Sequence, residues 1–165
     1  MKLFLTIGLA GVMFATPVLA DNATEGLRVA KITFSSIDGN GDGVVNQGDM
    51  DEFGESVFLG MDYDSNDRVS FEEFSDWDIG FEEAAELEGR PDAIITARRI
   101  LFGMWDGNGD GELTKSEHRR AGMLDFNRAD VDDNGILDER EFLLGYSVNI
   151  VMRGAIRPDV DVNAQ

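Results

Sequence analysis

Four stretches of this chain align with one another without gaps: FSSIDGNGDGVVNQGD from Phe34, FLGMDYDSNDRVSFEE from Phe58, FGMWDGNGDGELTKSE from Phe102 and FNRADVDDNGILDERE from Phe126. Each places Phe four residues before an Asp. Counting that Asp as position one, carboxylates or amides follow at alternate positions, a branched aliphatic residue stands at position eight, and an acid closes the stretch at position twelve. A unit that recurs in this way is one supersecondary structure used four times, and it limits the fold more than any composition does.

The stretches resemble the EF-hand calcium loop, in which Asp is followed by Asp or Asn at positions three and five, Gly at six and Glu at twelve. The chemistry accounts for the spacing. Calcium is a hard ion that takes about six to eight oxygens at about 2.3–2.6 Å. Short oxygen-bearing side chains at alternate positions of a tightly curled loop aim at one centre, and Gly at position six permits the left-handed backbone of the turn. Position seven gives only its carbonyl, so its side chain is free to vary. A long acid at position twelve closes the shell with two oxygens from the first turn of the next helix.

Carried over residue by residue, the resemblance implies four ligand sets. The first is Asp38, Asn40, Asp42, the Val44 carbonyl, Asn46 (directly or through water) and Asp49. The second is Asp62, Asp64, Asn66, the Arg68 carbonyl, Ser70 and Glu73. The third is Asp106, Asn108, Asp110, the Glu112 carbonyl, Thr114 and Glu117, and the fourth is Asp130, Asp132, Asn134, the Ile136 carbonyl, Asp138 and Glu141. The last two match the family pattern at every side-chain position and are expected to be the tighter sites. Asp49 is one methylene shorter than the usual Glu, which implies fewer oxygens, weaker calcium binding or a lean toward the smaller Mg2+ at the first loop. Asp67 stands where the second loop wants Gly; Asp visits the left-handed region at a cost of about 1 kcal/mol.

The implied fold is all-α: helix–loop–helix repeats with short β-bridges between paired loops, made by Val45, Val69, Leu113 and Leu137 at position eight. Apolar residues at helical spacing precede the first loop (Leu27, Ala30, Phe34, Ile37, with Thr24 as N-cap) and the third (Ile94, Ala97, Leu101, Trp105). The segment from Phe71 reads as an exit helix through Leu87 or Glu88, a turn at Gly89–Pro91, and an entry helix to Trp105. After the fourth loop, Phe142, Tyr146, Ile150 and Met152 continue a helix until Pro158. The turn at Gly89 divides the chain into an N-terminal half, 21–88, with loops 38–49 and 62–73, and a C-terminal half, 89–157, with loops 106–117 and 130–141. Residues 158–165 read as a disordered tail.

Loop starts at Asp38, Asp62, Asp106 and Asp130 leave only Met50–Met61 and His118–Ala129 between neighbouring loops. A continuous helix of that length spans about 18 Å and holds its two loops apart. Two routes follow. Either these segments break, near Gly54 or Gly60 and near Gly122, so that neighbouring loops pair, or each loop pairs with one from the other half and the chain forms a single domain.

Composition narrows the partners. With 33 Asp plus Glu against 14 Lys plus Arg, the formal net charge is -19, which disfavours nucleic acid and anionic lipid surfaces. There is no cysteine, hence no disulfide or thiolate site, and the lone His118 rules out a multi-histidine zinc site. Hydrophobic content of 42% with 11 Phe suffices for a core, and the acidity points to a hard cation. Residues 1–20 read as a secretory signal peptide: Lys2, the apolar run from Leu3, then Val18 and Ala20 before cleavage at Asp21. Without them no stable membrane span is expected, and the mature chain is periplasmic or secreted. Trp77 and Trp105 are expected in the core, and His118, Arg119 and Arg120 form the one basic cluster, offsetting loop acidity.

These readings imply an exported, non-enzymatic calcium-binding protein with Ca2+ as its ligand, acting as buffer or sensor and resembling exported bacterial EF-hand proteins. A calcium-dependent adaptor that docks a cell-surface or secreted partner is the alternative. An enzyme is disfavoured, because nearly every oxygen ligand is already used in a loop.

Overall fold

The computed structural model describes residues 22–77 and 80–156; residues 1–20, read as a signal peptide, and 158–165, read as a tail, lie outside them. The elements run α1 (Asn22–Ile37), β1 (Val44–Asn46), α2 (Gln47–Met61), β2 (Arg68–Ser70), α3 (Phe71–Asp76), α4 (Glu82–Leu87), α5 (Pro91–Trp105), β3 (Glu112–Thr114), α6 (Lys115–Ala129), β4 (Ile136–Asp138), α7 (Glu139–Gly145) and α8 (Ser147–Ile156). Over the described residues the protein is mostly helical, with two small antiparallel sheets.

Of the two routes left open by the spacing, the structure takes the second. α2 and α6 run unbroken through Gly54, Gly60 and Gly122, each 15 residues or about 22 Å long. Each therefore leaves one loop and enters the next without letting the two meet. Instead β1 pairs with β4, with Val45 opposite Leu137, and β2 pairs with β3, with Val69 opposite Leu113. Exchanging the two halves of the chain maps one sheet onto the other, and α2 packs extensively along α6 between them.

Two hydrophobic clusters follow from this pairing. One lies under β2 and β3 and gathers Phe58, Met61, Val69, Phe74, Phe81, Leu101, Phe102 and Leu113. The other lies under β1 and β4 and gathers Phe34, Ile37, Val45, Met50, Phe126, Leu137 and Phe142. Both take residues from before and after the Gly89 turn. α2 feeds both, Met50 into one and Phe58 and Met61 into the other.

Three helix boundaries differ from the sequence expectation. α1 begins at Asn22, so Thr24 lies inside it rather than capping it. The exit helix from Phe71 stops at Asp76 instead of running to Leu87: Trp77 is extended (φ -76°, ψ 110°), Gly80 is left-handed (φ 84°), and Phe81 is thereby buried at 2% exposure. The helix after the fourth loop likewise stops at Gly145, and Tyr146 is extended (ψ 124°). Its last turn is closed by side chains of α8, with Asn149 Nδ2 donating to the Phe142 carbonyl (2.9 Å) and Arg153 Nη1 to that of Leu143 (2.8 Å).

Gly145 is required there by close approach. A Cβ on it would lie 2.8 Å from Ala129 Cα, a backbone atom that cannot give way. Gly145→Ala is expected to destabilise the protein by about 1–3 kcal/mol through overpacking. Gly122→Ala, where a Cβ meets nothing within 4 Å, is expected to stabilise α6 by about 0.5–1 kcal/mol. Denaturant midpoints of the two variants should therefore move in opposite directions; shifts of the same sign would contradict the packing.

Candidate metal centres in four loops

Each loop is entered the same way. The N–H groups of Asp38, Asp62, Asp106 and Asp130 donate to the carbonyls of Phe34, Phe58, Phe102 and Phe126, at 2.8–3.0 Å. The Phe thus closes the last turn of the entry helix while its ring enters a core cluster, and the Asp leaves the helix. The carboxylate of that Asp then folds the loop over itself, accepting the N–H of position six through Oδ2: Gly43 (2.9 Å), Asp67 (3.0 Å), Gly111 (2.9 Å) and Gly135 (2.9 Å).

A local ladder continues the curl. Oδ1 at position three accepts from the N–H of position five, as in Asn40 to Asp42 (2.8 Å) and Asp132 to Asn134 (3.2 Å). Oδ1 at position five accepts from position seven, as in Asp42 to Val44 (3.1 Å) and Asn66 to Arg68 (2.8 Å). Short Asp and Asn side chains suit these two-residue reaches. Position six is left-handed in every loop, including Asp67 at φ 63°, which Asp tolerates better than most residues. Position four is left-handed too: Gly41, Ser65, Gly109 and Asp133, with φ between 56° and 74°. Sequence reasoning missed this second strained position, although the glycines at 41 and 109 mark it.

The residues at positions nine and twelve also build the start of the next helix. Asn46, Ser70, Thr114 and Asp138 are the N-caps of α2, α3, α6 and α7, and their side chains accept the N–H of Asp49, Glu73, Glu117 and Glu141. Each closing acid returns the bond to the cap's own N–H, completing a capping box. One carboxylate oxygen is thereby spent and the other is left to face the loop.

What that second oxygen meets distinguishes the loops. Glu117 Oε1 accepts from Asn108 N (3.3 Å), and Glu141 Oε1 from Val131 N (3.0 Å). Asp49 uses Oδ2 on the Asn46 N–H (2.9 Å). Glu73 is 4% exposed, and its Oε1 is buried with no hydrogen-bond partner. Burial pushes the Glu73 pKa up, but the Ser70 N–H and hydroxyl, and the nearby amides of Asp64 and Tyr63, outweigh it and hold the group below the usual carboxylate range. Glu73 is therefore held as an anion, and its Oε1 meets no donor in full hydrogen-bonding geometry.

The Glu73 carboxylate has acidic company. Carboxylate oxygens of Asp62, Asp64 and Glu73 all lie within 4.8 Å of one another, and so do those of Asp130, Asp132 and Glu141. Three carboxylates so placed repel one another, and an oxygen-seeking divalent cation among them would offset both the repulsion and the orphaned oxygen. The donor set fits such an ion. The first and third loops carry Asn at position three, and their acids (Asp38, Asp42, Asp49; Asp106, Asp110, Glu117) form no comparable group among the described residues. The geometric grouping therefore pairs loops two and four, whereas pattern matching ranked loops three and four together.

Basic residues tie the inner pair of loops. Arg68 Nη1 meets Glu112 Oε2 at 2.9 Å and Asp110 at 3.8 Å, and Lys115 Nζ meets Asp67 Oδ1 at 3.0 Å. Asp110 is held below the usual range first by the Glu112 N–H, then by Asn108, with Arg68 adding to the effect against desolvation. The basic cluster expected at 118–120 does not form as such. Arg119 pairs with Asp51 (2.8 Å), while His118 is packed against the Trp105 and Phe58 rings, at 5.4 and 5.7 Å. Burial drives its pKa down to about 4, so it is neutral at pH 7 and offsets no charge.

Comparison with protein-family models and with curated proteins gives no match. Among the described residues no helix is long and apolar enough to cross a membrane.

Glu73→Gln separates a ligand from a structural carboxylate. The amide keeps an acceptor for the Ser70 N–H and turns the orphaned oxygen into a donor toward Asp62 or Asp64. The metal-free protein is expected to gain up to about 1 kcal/mol, while calcium titration loses one equivalent. A variant that loses metal-free stability and keeps full calcium stoichiometry would contradict this role.

Proposed function

We propose that this chain is an EF-hand protein that binds calcium in four loops and acts as an exported calcium buffer or sensor. The observation that carries the reading is Glu73: a buried carboxylate held below the usual range, within 4.8 Å of two further carboxylates, whose Oε1 meets no donor in full hydrogen-bonding geometry. The shared backbone of the four loops supports extending it to the others, with left-handed residues at positions four and six and a capping-box acid at twelve. When bound, calcium would supply the positive charge that the clustered oxygens of each loop surround. The chain's own residues orient the oxygens, curl the loop and hold the closing acid against the next helix. Export rests on the leader-like residues 1–20, and a weak-affinity range of about 10⁻⁴–10⁻³ M suits calcium-rich compartments outside the cell.

Terbium luminescence tests the reading, because this ion takes the same hard oxygen ligands and is sensitised by a nearby indole. Trp105 directly precedes Asp106. Excitation of tryptophan is expected to give terbium emission that calcium removes. Emission at the level of free terbium, or emission that calcium leaves unchanged, would refute it.

A further inference from the structure

A cavity of about 590 Å3 opens between the two hydrophobic clusters, walled by α1, α2, α5 and α6 and reached by Tyr146 and Asn149. Its size falls within the roughly 300–1,000 Å3 of small-molecule sites. The wall is mainly apolar, with Phe58, Met61 and Leu101 among its residues. None of the loop acids argued above to hold metal lines it.

Arg98 stands in this wall. It sits on α5 between Ala97 and Leu101, both core residues, and is only 6% exposed. Its Nη1 pairs with Glu82 at the start of α4. Nε and Nη2 are buried and have no hydrogen-bond partner. A guanidinium cannot shed its charge, so leaving these N–H groups unanswered inside protein is costly. Nε and Nη2 are also adjacent donors of the planar fork that grips a carboxylate by two parallel bonds. A buried cation with two unanswered donors selects an anionic head; Asp51, Glu52 and Glu55 also line the cavity, beside Lys115 and Arg119, and its apolar remainder selects an alkyl chain.

We propose that this cavity binds a single-chain anionic amphiphile of the fatty-acid class. The carboxylate meets Nε and Nη2 of Arg98, and the alkyl chain lies along the apolar wall. Both nitrogens are closed to water in this structure, so docking includes a rotation of the guanidinium on its flexible stem. Glu82 is half exposed and follows it. The site is independent of the loops and goes beyond the calcium reading.

The test is calorimetric titration of the purified protein with micromolar octanoate, decanoate, dodecanoate and dodecanol. It is run in calcium and again in chelator, with helical circular dichroism showing in which condition the chain is folded. Binding in a folded sample tests the cavity alone, whatever the loops do. Affinity is expected to rise about fourfold per added methylene. Dodecanol, or dodecanoate with Arg98→Met, is expected to bind roughly 10- to 100-fold more weakly. Arg98→Lys keeps a cation for Glu82 but lacks the fork, and is expected to fall between the wild type and Arg98→Met. No binding by a folded sample, or equal affinity for dodecanol and dodecanoate, would overturn the proposal.

Discussion

Saturating calcium is expected to raise the thermal midpoint by roughly 30 °C over the same protein in chelator, if all four sites fill. The magnitude comes from linkage. An ion held at a hundred times its dissociation constant adds about 2.7 kcal/mol per site, and in a chain of this size each kcal/mol moves the midpoint by roughly 2–4 °C. The structure gives the physical source. The metal-free loops hold clustered carboxylates within 4.8 Å and an orphaned Glu73 oxygen, in a protein whose net charge is already -19. Filling two sites instead of four would give about half the shift. A change of a degree or less, measured by circular dichroism at ten millimolar calcium, would contradict the linkage.

Phe142→Ala is expected to cost about 3–5 kcal/mol. Phe142 is fully buried, with the Phe34 ring tilted against it at 5.5 Å and the Tyr146 ring stacked on it at 5.0 Å. It thereby joins α1, which enters the first loop, to α7, which leaves the fourth. Truncation removes the ring from the cluster under β1 and β4 and leaves the cluster under β2 and β3 intact. Amide-exchange protection should accordingly fall at Val45 and Leu137 before it falls at Val69 and Leu113. A loss below about 1 kcal/mol, or equal loss of protection in both sheets, would show that the two clusters are not the units described.

The loops were legible because their determinants are local. Each Asx bond spans two to five residues, each cap lies three residues from the acid it serves, and the Phe that closes the entry helix lies four before the first Asp. The pairing of loops was not legible. It depends on α2 packing along α6, whose residues are more than fifty apart in sequence, and on glycines at 54, 60 and 122 that read equally as breaks. The helix ends at Asp76 and Gly145 were hidden because apolar periodicity continues past both. Gly145 stops α7 for the sake of Ala129 and the side chains of α8, which no local window contains. His118 misled for a related reason: its neighbours in sequence are arginines, while its neighbours in space are Trp105 and Phe58. Arg98 lies on a face marked by Ile94, Ala97 and Leu101, and a charge on such a face is the signal that it is buried.

The central claim is that the four loops hold calcium, and stoichiometry tests it most directly. Calorimetric titration of the protein with calcium, with and without excess magnesium and with tryptophan emission followed alongside, should give three or four equivalents. Trp105 emission should change as the third loop fills, and the first loop should be the one most weakened by magnesium. No heat and no spectral change up to about ten millimolar calcium, well above the weak end of extracellular sites, would contradict the account.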